Sequence, residues 1–226
     1  MRSRNLASDG GKSVSDAILS GISEMSATVV GQLTAARASL STADLAGADA
    51  VVRSDTAVNA MRYRIEDLIT AELGGANVAT DRLRFLIAAL SVSNDLERIG
   101  DHCEGIAKIA LMLGATPTVA LPVSLERLGD LAAGMLARGT AAFINGEAAE
   151  ARALCAEDDV VDELYDRIYG EVLTAMAEAP DSVVPRTYIL WAVHNLERIA
   201  DRVTNICERT VYLGTGRVEE LNVSNY

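Results

Sequence analysis

Residues 94–101 read NDLERIGD, and residues 194–201 read HNLERIAD. The offset is 100, and it holds beyond the motif. Asp81 answers Asp181, Ile106 answers Ile206, and Leu113-Gly114 answers Leu213-Gly214. Upstream, SDTAVN at 54–59 aligns with EDDVVD at 157–162 at an offset of 103, so a short insertion separates the two registers. A chain that repeats itself at such a period is built from copies of one supersecondary unit.

Each copy carries a heptad stripe. The first is Val92, Leu96, Ile99, Cys103, Ile106, Ala110 and Leu113; the second is Ala192, Leu196, Ile199, Val203, Ile206, Thr210 and Leu213. Alternating steps of four and three are the seam of a helix packed in a bundle. A glycine closes each, Gly114 or Gly214, as a residue just past a helix end. The same reading predicts helices over about 14–40, 44–73, 80–113, 123–145, 147–177 and 183–213. The expected fold is all-α: two tandem, pseudo-symmetric three-helix bundles, six helices in all. The expected division is a tail at 1–13, a first unit at 14–114, a linker at 115–122, a second unit at 123–216 and a tail at 217–226.

Composition agrees. Half of the residues are hydrophobic but only 4% are aromatic, a balance that favours packed helices over sheets. The net charge of −12 and pI near 4.6 oppose binding to nucleic acid or to a bare anionic membrane. Basic protein surfaces and cations are the natural partners of such a field. The longest apolar run, 109–123, is broken by Gly114, Pro117 and Pro122, so it is a connector and not a membrane span. The N-terminus lacks the apolar region of a secretory signal, and three scattered cysteines, Cys103, Cys155 and Cys207, fit reduced core thiols of a cytoplasmic protein.

Acidic residues recur in register. Glu97 and Asp101 stand four apart on helix 3, on the face expected opposite the stripe, with Asn94 and Glu104 beside them. Helix 6 repeats this with Glu197 and Asp201, flanked by His194, Asn205 and Glu208. Helices 2 and 5 add Asp55 with Asn59, and Asp158 with Asp162. Like charges at that spacing repel on a bare helix. If helix 2 packs on helix 3 and helix 5 on helix 6, each unit gathers up to four oxygen donors, a set suited to Mg, Ca, Mn or Fe. The alternative is a solvated face whose charge Arg98 and Arg198 compensate. A di-iron oxidase needs Glu-x-x-His pairs in the bundle core, and neither His102 nor His194 follows a glutamate by three. The string His194-Asn195-Leu196-Glu197 is a weak match to a phosphoaccepting box. No Walker loop, nucleophile elbow or Cys–His spacing occurs, so no enzyme is expected.

The doubled LERIxD helices, each preceded by an acidic helix, and the closing NICERTVYLGTG resemble the PhoU family over about residues 20–216. The resemblance implies two three-helix bundles and a cytoplasmic regulator that restrains a phosphate-responsive sensor histidine kinase. It implies coupling to the ATPase of a phosphate ABC transporter, with the membrane reached only through partners, and a homodimer. It also implies surface sites for divalent or iron-type ions (Fe, Mn, Mg or Zn), mononuclear or clustered. Carried over to this chain, those sites are Asp55, Asn59, Glu97 and Asp101, and Asp158, Asp162, Glu197 and Asp201. The chain departs from the family pattern at Asn59, in place of a carboxylate, at Gly105, in place of Asn, and at Arg202, in place of His. The second copy, with four carboxylates against three, is expected to hold a cation more firmly. A metal-buffering or metal-storage bundle, and an accessory domain of another transporter, are the competing readings.

Overall fold

The computed structural model describes residues 13–75 and 78–221. Residues 1–12 and 222–226 of the expected tails lie outside the described residues. Among the described residues six α-helices follow in order: α1 Val14–Thr42, α2 Leu45–Leu73, α3 Thr80–Leu113, α4 Ser124–Asn145, α5 Ala148–Glu178 and α6 Val183–Thr215, with a 3-10 turn, Pro180–Ser182, before α6.

Local chemistry sets the ends. Ser13 caps α1 through a capping box, its Oγ accepting from Asp16 N while its own N–H donates to Asp16 Oδ2. Asp44 caps α2 by accepting from Gly47 N at 3.0 Å. Gly146 ends α4 with φ at 71°, a left-handed conformation that glycine adopts without strain. Gly114 ends α3 as expected. Gly214 does not end α6: the helix runs on to Thr215 and closes on Gly216, also left-handed. The chain then folds back, since Glu208 accepts from Leu221 N at 2.9 Å and Arg152 pairs with Glu219 at 2.8 Å. The first residues of the expected C-terminal tail are thus tied down as far as Leu221.

Within each half the three helices pack on one another, and the halves meet through α3 against α6 and α1 against α4. The α3–α6 contact is the most extensive in the molecule. Among the described residues α2 touches no helix of the second half, and α5 none of the first. So α1 and α4 close one side of the central pair, while α2 and α5 stand apart on the other.

The heptad residues supply the core. Leu96, Ile99, Cys103 and Ile106, with their counterparts Leu196, Ile199, Val203 and Ile206, are buried, and a continuous apolar core joins both halves. Full burial of a Leu or Ile side chain contributes roughly 1.5–3 kcal/mol. A polar pair contributes roughly 0.5–1.5 kcal/mol net. Apolar burial therefore dominates the union of the halves, and polar pairs set its register. Val119 and Leu121 of the linker also pack on this core.

Two polar pairs at the seam reveal its symmetry. His102 Nδ1 donates to Asn195 Oδ1 at 2.8 Å, and Arg202 reaches Asp95 at 3.3 Å. His102 and Arg202 are equivalent at the offset of 100, and so are Asp95 and Asn195. A pseudo-twofold axis therefore passes between α3 and α6.

Candidate functional site

The two acidic constellations form in the grooves where α2 lies on α3 and α5 lies on α6. Asp55 is close enough to Asp101 and Glu104 for their charges to act on it, and Asp162 stands in the same relation to Glu197 and Asp201. Burial first, and those neighbouring carboxylates second, raise the pKa of Asp55 and of Asp162 above the usual aspartate value.

These groups do not all sit on an open face. Glu197 is 7% exposed and Asp158 3% exposed, and Glu97 is mostly covered, whereas Asp101 and Asp201 reach solvent. The face opposite the stripe is not free because α3 and α6 each pack on three other helices.

Arginines occupy the carboxylates. Arg198 donates to both oxygens of Glu197, at 2.6 and 2.5 Å, and to Asp201 Oδ2 at 3.1 Å. Arg98 lies 3.5 Å from Glu97 and donates to Asp101 at 3.0 Å. Arg62 approaches Glu97 at 3.9 Å and pairs with Glu66. Asn59 turns its amide N–H to Asp55 Oδ2 at 2.8 Å, so it serves as a hydrogen-bond donor to its neighbour. Lys108 pairs with Glu104 at 2.6 Å.

The donors are oxygen only, which suits a hard cation. Among the described residues, though, no three His, Cys, Asp or Glu side chains converge as a ready ligand set. Two atoms of the first groove are unsettled: Asp55 Oδ1 and Arg62 Nε are buried with no hydrogen-bond partner. A buried carboxylate oxygen in that state is costly, and a cation would satisfy it.

Arg202 does not add its charge to the second acidic groove, since it spans the seam to Asp95. His102 is bonded across the seam to Asn195. It is half-buried in the seam, and burial lowers its pKa. Gly105 leaves room there, because a Cβ would lie 3.1 Å from Asn195 Oδ1. The three cysteines are free and buried, and burial raises the Cys103 thiol. A separate cavity of about 650 Å³, walled by Arg37, Leu40, Ile106, Leu121, Leu125 and Leu196, opens beside α1 and α4. None of the eight motif residues lines it. Among the described residues no helix is long and apolar enough to cross a membrane.

The architecture and site define a class: six-helix proteins made of two three-helix copies, each with an acidic pair motif in an interhelical groove. The family model described as PhoU domain matches twice, at residues 22–110 and 125–210, and this chain belongs to the PhoU family. It is 35% identical over 204 residues to a Streptococcus pneumoniae protein named phosphate-specific transport system accessory protein PhoU homolog, covering 88% of this chain and 94% of that one. A Caulobacter vibrioides protein of the same name is 37% identical over 175 residues, covering 77% and 75%. The crystal structure of a phosphate transport system regulatory protein PhoU from Streptococcus pneumoniae superposes with a TM-score of 0.85 at 30% identity, covering 91% of this chain and 97% of that one. PhoU from Pseudomonas aeruginosa gives 0.87 at 29%, covering 90% and 98%.

Proposed function

We propose that this protein is a non-enzymatic accessory regulator of phosphate uptake and of phosphate-starvation signalling. It works in the cytoplasm by contact with a sensor histidine kinase and with the ATPase of a phosphate transporter. The observation that carries this reading is the match of both copies to one family, along nearly the whole length of relatives named for phosphate-specific transport. The acidic field supports it, because a net charge of −12 repels free phosphate and attracts basic protein surfaces. Deleting the gene, in a strain with no other copy, derepresses phosphate-starvation genes in phosphate-rich medium. Unchanged reporter expression and phosphate uptake would overturn the reading.

A second element of the proposal is cation binding in the acidic grooves, favoured by the unpartnered Asp55 Oδ1 and by the crowding at Asp162. Asp55, Glu97 and Asp101 would hold an ion in the first groove, and Asp158, Asp162, Glu197 and Asp201 in the second. The ion would supply positive charge among carboxylates that otherwise repel, and Arg98 and Arg198 would be released toward solvent. A metal-storage role predicts saturable iron uptake without any effect on the phosphate reporter, which separates it from regulation.

A further inference from the structure

One tryptophan, six tyrosines and two phenylalanines serve 226 residues, and they are not spread evenly. Four of them form two ring pairs on the packed helices α5 and α6, Tyr165 with Tyr169 on the first and Tyr188 with Trp191 on the second. Tyr165 stacks obliquely on Tyr169, with ring centres 5.9 Å apart, and faces His194 at 6.3 Å. Tyr188 and Trp191 meet at 5.6 Å. Trp191 is nonetheless 51% exposed and Tyr169 40%, and one helical turn beyond Tyr169 and Tyr188 the apolar Leu173 and Val184 are exposed as well. Exposed apolar groups standing singly need no explanation, but exposed ring pairs with apolar neighbours on two packed helices mark a contact surface.

The first copy serves as an internal comparison. At the equivalent of Tyr165, Tyr169, Leu173, Tyr188, Trp191 and His194 it holds Arg62, Glu66, Thr70, Ala88, Ser91 and Asn94. There the Arg62–Glu66 ion pair closes the surface with its own charges. The same three-helix unit thus folds without aromatics at these positions, and packing does not require them.

We propose that these ring pairs are the docking surface for a cationic helical segment of another protein, with arginines stacked on Trp191 and Tyr169. Charge selects the occupant. From Glu157 to Glu178, α5 carries eight carboxylates, of which Asp158 is buried and Glu157 pairs with Arg138, and one arginine, Arg167; the matching stretch 54–75 carries four carboxylates and two arginines. Of the arginines nearby on α6, Arg198 is engaged with Glu197 and Asp201, and Arg186 donates to Ser182. Guanidinium groups bind aromatic faces and carboxylates together, and Trp, Tyr and Arg dominate interface hot spots. A second copy of this chain is the wrong occupant, because a self-complementary contact would set one acidic row against another. The proposal rests on the reading that the protein acts by contact, and not on what its partners transport.

The test uses the full chain and a labelled amphipathic peptide with arginines at every fourth position, beside the same peptide with lysines, in physiological salt. Trp191 is the only tryptophan, so its emission reports occupancy directly. The arginine peptide shifts that emission and binds several-fold more tightly than the lysine peptide. Tyr169→Ala weakens it about tenfold, the range of a moderate hot spot. Tyr169→Phe retains binding, and Glu66→Ala and Ser91→Ala in the first copy leave it unchanged; circular dichroism checks that each variant is folded. Equal affinity for both peptides together with no effect of Tyr169→Ala overturns the proposal, as mere charge attraction. A dimer in sedimentation that Trp191→Ala dissolves also overturns it, in favour of self-association. The deletion phenotype is read independently, so failure of peptide binding and failure of the phosphate reading are told apart.

Discussion

Gly139 lies where α4 crosses α6, and a Cβ there would stand 2.6 Å from Val203 Cγ1 and 3.5 Å from Cys207 Sγ. Valine holds one rotamer stiffly in a helix, so the backbones must separate. Gly139→Val should therefore lower stability by about 1–3 kcal/mol, the usual cost of overpacking. Gly134, on the same helix, meets nothing within 4 Å. Gly134→Ala should raise stability by up to about 1 kcal/mol through helix propensity and a less flexible unfolded chain. Urea melts of the two variants check both signs. Asp162 gives a pH-dependent case. Its pKa is raised, by burial and then by Glu197 and Asp201. A group of this kind adds stability below its unfolded pKa and loses it as pH rises through the folded value. At pH 7 the ionised carboxylate therefore opposes folding in metal-free protein. Asp162→Asn should raise the melting temperature there, and the gain should shrink as pH falls below the acid range where Asp162 titrates. A lower melting temperature at pH 7 would mean that the charge is held by a partner.

The helices show how far such residue-level effects were legible in advance. Element positions followed from the heptad stripe and from Gly114, because period and helix-end chemistry are local. The end of α6 did not, since Gly214 fits inside a helix when Gly216 can close it two residues later. The burial of Glu197 and Asp158 was hidden for another reason. A helical wheel assumes one packed face, whereas α6 packs on α3, α4 and α5. For the same reason the lateral positions His102 and Arg202, ordinary polar residues in the sequence, become seam contacts. The aromatic pairs had a signal in the text, four of nine aromatics within 165–191, but their exposure depends on tertiary packing. Metal binding is an element-scale property, because each groove needs two helices. Added Mn, Fe or Mg should raise the melting temperature by mass action. Glu197→Ala with Asp201→Ala should remove more of that rise than Glu97→Ala with Asp101→Ala, four carboxylates being reduced in one case and three in the other. Arg198→Ala should strengthen the metal response, since Arg198 competes for Glu197 and Asp201. Metal-independent melting of the wild type would leave the grooves as arginine-compensated surfaces.

At the scale of the whole molecule, the pseudo-twofold seam makes the two halves behave as fused partners. We propose unit boundaries at 14–114 and 123–216, and the seam predicts what happens when they are separated. Residues 14–114 alone would expose the side of α3 that packs on α6, part of an otherwise continuous core. An apolar surface of that kind does not stay in water. Because α3 and α6 are equivalent, a second copy of α3 can take the place of α6. The first unit should therefore form a twofold dimer instead of a monomer. Its polar seam would change in a defined way: His102 would face Asp95 of the other copy twice, in place of one His102–Asn195 pair and one Asp95–Arg202 pair. Opposite charges then meet only when His102 is protonated, so dimer affinity should rise as pH falls through the histidine range and fall again once Asp95 is neutralised. The second unit would instead set Arg202 against Asn195, with no such pH dependence. Sedimentation of each unit between pH 5 and 8 distinguishes the cases. A folded monomer of 14–114 at micromolar concentration, or equal pH behaviour of the two units, would show that the seam does not govern assembly.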